Sequence, residues 1–317
     1  MSEQNPKLDY QVPKPDERDY IFELSDHEKD KAVLLSATSS VFQLPVIKIE
    51  SQGQLGSCTS FGLTTNLENI IYVVTGDTTY QASALFNYTQ SLILDSVDLD
   101  SDPGTTVRSA CGNLRLSGSC REKSWPYNDQ NRLQIPTEAV YEEAFKLARL
   151  ITYFEVKRDP EVIKYILMKL RFFILIGFQV YPSYQTQAVQ DTGDIPFPTD
   201  AERAAGPIGG HCFNIIGFDD TRQVYIVVNN YGTTWGQQGY GSIPYAYFED
   251  RDLVPEAKLL LPSEDFSVKY EQAMRSLNVD NIPEKYSCAD QNKNDENETK
   301  TQCFLPAVID SHRHFSQ

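Results

Sequence analysis

The chain has 317 residues, with 28 Lys and Arg against 44 Asp and Glu, for a formal net charge of −16. That length allows one large domain or two lobes, and 40% hydrophobic with 11% aromatic residues can fill a sizeable core. The acidic balance repels phosphate backbones and anionic lipid, so neither nucleic acid nor a membrane surface is an expected partner.

The first 20 residues, MSEQNPKLDYQVPKPDERDY, are polar and charged where a secretory signal needs an apolar stretch. Residues 1–44 carry prolines and little periodicity and end in the small, polar SATSS before VFQLP, which reads as an extension or a removable segment. From Gly56 the pattern turns helical: Ser57 is a candidate cap, and Leu63, Leu67, Ile70 and Ile71 share a face. Cys58 is thereby expected in the first turn. Helical signals continue through SALFNYTQSLIL, TTVRSACGNLRL and PTEAVYEEAFKLARL, with Thr137 as a cap and Val140, Ala144 and Leu147 as a stripe. Asp159 and Pro160 open a further helix carrying Val162, Ile166, Leu167 and Leu170.

Strands are expected next, in FFILIGFQVY, HCFNIIGF, VYIVVNN and YGSIPYAYF. The first of these is the longest apolar run and falls well short of the roughly 20 residues of a membrane helix. The expected chain is therefore soluble; its compartment stays unknown, with the cytoplasm and a virion as candidates. The fold class is α+β, a helical lobe and a mainly β lobe with a cleft between them. The expected boundaries are an extension over 1–44, a main domain over 45–262 and a polar tail over 263–317. Within the main domain, about 52–150 forms the helical part and about 151–262 the β part. No internal repeat is visible.

Six cysteines (Cys58, Cys111, Cys120, Cys212, Cys288 and Cys303) form no C-x-x-C pair, and four scattered histidines give no zinc-type spacing, so neither a metal nor another cofactor is called for. Cys288 and Cys303 bracket a polar segment, and a disulfide there would restrain it by about 3 kcal/mol; two free thiols are the alternative. Cys111 and Cys120 could pair or simply pack, and Cys212 reads as core. The sequons at Asn87 and Asn297 matter only in a glycosylating lumen.

A thiol at a helix N-terminus faces unpaired N–H groups and the positive end of the helix dipole, both of which favour thiolate. His211 opens an apolar strand, Asn229 closes the next, and DDTRQ supplies the turn between them. An antiparallel hairpin folded about Thr221 sets Phe213 opposite Asn229, within reach of His211. A thiol peptidase needs such a set: an imidazole to hold the thiolate and protonate the leaving amine, and an amide to orient the imidazole.

These segments resemble the papain-like cysteine peptidases. QGQLGSCTSF looks like the nucleophile segment, GGHCFNIIGFDD like the histidine strand and NNYGTTWGQQGYG like the asparagine strand, with SALF, PGTT, WPY and LIGFQVY as further matches between about Leu44 and Pro262. The resemblance implies a papain-like two-lobe fold with a β-barrel-like second lobe. It also implies Cys58 as nucleophile, His211 as acid/base, Asn229 as orienting residue and Gln52 as oxyanion donor, with a thiol pKa of about 3 to 4. Leu55 stands in place of a disulfide-forming cysteine, Thr59 in place of a tryptophan, and Tyr231 in place of the indole that shields the Asn and His side chains.

PDERDY, the short run from QLP to the nucleophile and PFPTDAERAAGPIGGH resemble the xylellain-like, cathepsin B-like short-prosegment branch, which has bacterial and large DNA virus members. In that branch the N-terminal segment can lie across the cleft, which makes residues 1–44 a candidate inhibitory prosegment or else a permanent arm. With no histidine between His27 and His211, a histidine-bearing exopeptidase loop is not expected. The expected activity is hydrolysis of protein or peptide substrates through a thioester. The alternatives are a catalytically silent peptide-binding or particle protein, and a transpeptidase or deamidase using the same thiol.

Overall fold

Strands from both ends of the sequence enter one sheet, and that convergence brings the parts of the site together. The computed structural model describes residues 6–14, 16, 19–36 and 39–277. The extension holds β1 (Ile21–Phe22), α1 (Asp26–Ser36) and β2 (Val41–Gln43). It is followed by α2 (Cys58–Thr75), α3 (Ala84–Leu94) and α4 (Val107–Ser117). The last two are capped by Ser83 and Thr106, which accept from the N–H groups of Phe86 and Ser109. The short α5 (Asp129–Arg132) and α6 (Glu138–Phe145) complete the helical part.

β3 (Ile151–Val156) leads into α7 (Pro160–Tyr165), which starts as expected on Asp159 and Pro160 and continues as a π-helical turn over Ile166–Leu170. After β4 (Ile174–Val180) come a 3-10 turn (Pro182–Gln185), α8 (Gln187–Thr192) and α9 (Asp200–Ala205). β5 (Gly209–Asp219), β6 (Val224–Val228), β7 (Tyr240–Pro244), α10 (Tyr245–Glu249), β8 (Glu256–Pro262) and α11 (Phe266–Ser276) end the described chain. Ser57 and Thr137 precede their helices without a side-chain capping bond. YAYF is the turn of α10 rather than the end of a strand.

The sheet runs β1-β3-β8-β4-β5-β6-β7, with β2 also pairing β5. It is open rather than barrel-like, since β1 and β7 stand at opposite ends of that order. β5 is the hub: Gly209 to Ile215 pair with β4, Asn214 to Asp219 with β6, and Gly217 to Asp219 with β2. Asn214 lies opposite Val228, so Asn229 falls one step beyond, as the hairpin argument required. A bulge between Ile215 and Gly217 shifts the register nearer the turn.

α2 is buried from Cys58 to Ile71 and packs on β5. The approach depends on Gly62, where a Cβ would meet Leu175 Cδ1 at 2.7 Å. Two asparagines weld the contact: Asn214 Nδ2 donates to Gly62 O at 2.7 Å, and Asn66 Nδ2 donates to Asn214 Oδ1 at 3.0 Å. These bonds fix the helix bearing Cys58 against the strand bearing His211.

The extension divides into two parts. Asp19 bonds Arg108 and Lys258, β1 pairs parallel with β3, Tyr165 donates its hydroxyl to Glu28, and β2 pairs with β5. Residues 19–43 therefore belong to the sheet and its flank. Residues 7–11 instead cross the protein as a separate strand. Tyr10 N–H donates to Gly210 O, Gly210 N–H to Leu8 O and Gln11 N–H to Thr105 O, each at 3.1 Å. The Tyr10 ring fills a slot where a Cβ on Gly177 or Gly210 would strike it, and its hydroxyl donates to Glu256 at 3.1 Å.

Candidate active site

Cys58 is the first residue of α2 and is fully buried. The Ser57 hydroxyl, free of capping duty, bonds Tyr127, whose own hydroxyl donates to Gln52 O at 2.7 Å. Gln52 N–H donates to Asn230 O at 2.9 Å, and Ser51 bridges to Tyr231, so the loop ahead of the nucleophile is pinned to the chain after β6. The Gln52 side chain is buried, with Nε2 donating to Leu55 O at 3.0 Å and Oε1 without a hydrogen-bond partner among the described residues. Its amide is thus occupied within its own loop.

His211 lies opposite Phe178 of β4, and its imidazole is enclosed by the rings of Phe178, Tyr184, Phe213 and Tyr231. Nε2 sits 2.8 Å from Asn229 Oδ1, and Nδ1 sits 3.4 Å from the Tyr231 hydroxyl. Asn230, which the sequence reading left unremarked beside Asn229, proves to be a clamp. Its Nδ2 donates to Cys58 O at 2.9 Å and to Cys212 O at 3.3 Å, tying α2 and β5 together beside Cys58 and His211. Tyr184 carried no sequence signal, because only the fold brings the 3-10 turn against β5.

Burial favours the neutral form of both the thiol and the imidazole. Burial pushes Cys58 up to about 12, against the lowering pull of backbone N–H groups at Thr59 and Cys212; the Asp9 carboxylate raises it further. Burial likewise holds His211 down at about 4, only partly countered by its bond to Asn229. This direction is opposite to the lowered thiol pKa that the papain resemblance implies. Residues 7–11 run beside the loop ahead of Cys58: a Cβ on Gly56 would meet Asp9 Oδ2 at 2.8 Å. In a dry site a neutral pair costs less than an ion pair.

Tyr10 ends on Glu256, whose carboxylate also accepts from the N–H groups of Val107 and Arg108 at 2.9 and 3.0 Å. Burial pushes this carboxyl up to about 7 in spite of those donors and the nearby Lys258. Among the described residues no group of three or more His, Cys, Asp or Glu side chains is placed to hold a metal ion. Cys111, Cys120 and Cys212 are free and buried. Asn87 is buried in α3 with Nδ2 donating to Ala110 O, while Cys288, Cys303, Asn297 and the tail histidines lie outside the described residues. Among the described residues no helix is long and apolar enough to cross a membrane.

A helix-borne cysteine facing a histidine strand and an asparagine turn defines the papain class, and residues 39–248 match the papain family cysteine protease profile. The chain belongs to this family and is a papain-like cysteine peptidase. It is 30% identical over 263 residues to an uncharacterised peptidase C1-like protein of Acanthamoeba polyphaga mimivirus, an alignment covering 77% of this chain and 83% of that one. Among solved structures it is similar to xylellain, a cysteine protease from Xylella fastidiosa (TM-score 0.72, 22% identity, 83% of this chain and 99% of that one). It is also similar to procathepsin B S9 from Trypanosoma congolense (TM-score 0.54, 12% identity, 78% and 83% covered).

Proposed function

We propose that the chain is a cysteine endopeptidase made as a zymogen, with Cys58 as nucleophile, His211 as acid/base, Asn229 as the orienting residue and Gln52 as an oxyanion donor. The observation that carries this reading is the strand over residues 7–11, hydrogen-bonded to Gly210 immediately before His211 and to Thr105 across from it, where a peptide substrate would have to lie. An extended peptide held by backbone bonds on both sides of the thiol is what such a cleft binds.

Once that strand leaves, water returns and His211 Nδ1 can accept the Cys58 proton. The thiolate sulfur attacks the scissile carbonyl carbon, and the carbonyl π electrons move to oxygen. The Cys58 N–H and Gln52 Nε2, on leaving Leu55 O, can donate to that oxygen. The imidazolium gives its proton to the departing amine as the C–N bond breaks, leaving a thioester. Water then attacks the thioester carbonyl while His211 takes its proton, and the carboxylic acid departs as the thiol is restored. Asn229 Oδ1 keeps the imidazole aimed throughout.

A second reading, a catalytically silent papain-fold protein that binds peptides or serves in a particle, draws support from the same sealed, neutral thiol. Labelling with an epoxysuccinyl thiol-protease inhibitor separates the two, with Cys58→Ala as control. Modification at Cys58 is expected to quicken at least about tenfold after residues 1–11 are removed, with peptide hydrolysis appearing in step. No labelling and no hydrolysis by either form would establish the silent reading. Joined or deamidated peptides in the product mass spectrum would instead identify a transpeptidase or a deamidase.

A further inference from the structure

We propose that Asp102 is a positioning residue for Cys58: one carboxylate oxygen staples the loop ahead of the thiol to residues 102–105, and the other receives Lys7 of the N-terminal strand. The inference rests on the reading of Cys58 as nucleophile. It begins from Gly56, which is buried two positions before Cys58. With Leu55 rather than a cysteine beside it, no disulfide can fix the loop at that point.

Gln52 N–H and the Ser57 hydroxyl tie the loop to Asn230 and to Tyr127. Asp102 adds a tie from the loop that ends at Thr105: Gly56 N–H donates to Asp102 Oδ1 at 3.1 Å, which gives a buried backbone donor its acceptor. The two backbones run side by side there, since a Cβ on Gly56 would crowd Gly104 N at 3.1 Å.

The Tyr88 hydroxyl fixes the carboxylate in turn. It donates to the same Oδ1 at 2.7 Å and accepts from Gly104 N–H at 3.2 Å, so both its hydrogen and a lone pair have partners. Tyr88 is 1% exposed on α3, and burial together with the bond to Asp102 pushes its pKa up, so the phenol stays a donor. Asp102 stands at φ 46°, a left-handed backbone that few non-glycine residues adopt, and its bonds hold it there. Its Oδ2 accepts from Lys7 Nζ. The two oxygens therefore divide the contacts: Oδ1 faces the nucleophile loop and α3, and Oδ2 faces the strand. The staple stays when residues 7–11 leave.

The test is amide hydrogen exchange at Gly56, resolved by NMR on the full chain and read beside modification of Cys58 by an epoxysuccinyl inhibitor. Lys7→Met is the background, because it removes the strand's ion pair and leaves Oδ1 bonded; Gly56 exchange is expected to stay within about threefold of wild type. Adding Asp102→Ala is expected to speed that exchange at least about tenfold and to slow Cys58 modification at saturating inhibitor about tenfold, with the amides of α11 unchanged. Adding Asp102→Asn, which keeps an acceptor oxygen, is expected to restore both. Tyr88→Phe frees the carboxylate, is expected to speed Gly56 exchange, and decides the matter should the alanine variant not fold.

Gly56 exchange within about threefold of the background in the deciding variant would overturn the staple. Losses in Asp102→Asn as large as in Asp102→Ala would do the same, as would exchange raised equally in α11. Faster Gly56 exchange with unaltered Cys58 modification would overturn the positioning role. A background in which Cys58 never reacts refutes the peptidase reading instead, and the staple is then decided by exchange alone.

Discussion

Asn214 and Asn230 hold α2 against β5 beside the candidate site. Each places a polar side chain in full burial and spends it across an element boundary, Asn214 on Gly62 O and Asn230 on Cys58 O and Cys212 O. Asn214→Ala is expected to cost about 1 to 3 kcal/mol in denaturant unfolding, because Gly62 O and Asn66 both lose a partner in the core. Asn230→Ala is expected to cost a similar amount and to lower kcat/KM of the proposed peptidase by about 100-fold, since Cys58 loses its tie to β5. An unchanged kcat/KM would show that the clamp is structural only. Neither residue stands out in sequence, because an asparagine on a strand reads as a turn or a surface polar group until the facing helix is known.

At the scale of elements, the extension is the test case. Charge and proline content marked residues 1–44 as one segment, but the contacts divide it between Gln11 and Asp19. Removing residues 1–11 takes away Tyr10 and the backbone bonds to Gly210 and Thr105 and leaves β1, α1 and β2 in place. Removing 1–43 also strips two strands from the sheet and deprives Lys258 and Arg108 of Asp19. The longer truncation is expected to lower stability by at least about 3 kcal/mol relative to the shorter one, as read by chemical denaturation, because Lys258 is then buried among fewer partners. Equal stabilities would mean that residues 19–43 are dispensable.

The misread elements share a cause. β8 reads EAKLLLP and hides its strand character behind Glu256 and Lys258, both buried; Lys258 is matched by Asp19 and Glu155, and Glu256 by three donors. α10 and α11 are short or polar, and they are held by Tyr247 donating to Gln179 O and Tyr270 to Asp77, contacts no local pattern announces.

For the molecule as a whole, buried titratable groups set a pH dependence with two limbs. Glu68 and Glu256 are pushed by burial up to about 8 and about 7 from 4.5. The folded state therefore holds protons that the unfolded state releases, and the stability this confers is complete below pH 4.5 and lost as pH rises to about 7 and 8. His211, held at about 4 against 6.5, acts in the opposite sense: its contribution is complete above pH 6.5 and lost as pH falls to about 4. In the double variant Glu68→Gln, Glu256→Gln the fall in stability between pH 5 and 8 is expected to flatten, while the acid limb persists. A wild-type slope in the variant, measured by urea midpoints, would place the linkage elsewhere.

The α+β class, the buried helix beginning at Cys58, the β4, β5 and β6 strands and the pairing of His211 with Asn229 were all legible from the sequence alone. Each rests on local periodicity, on a short hairpin or on motifs that keep their order and spacing. Tertiary structure alone decided the rest: the open sheet with β1 and β2 built in, the pairing of residues 8–11 with Gly210 and Thr105, the Asn230 clamp and the aromatic rings around the imidazole. Those features join residues far apart in the chain, and whether a thiol is ionised depends on how much water the folded chain leaves around it, which no local run of residues encodes.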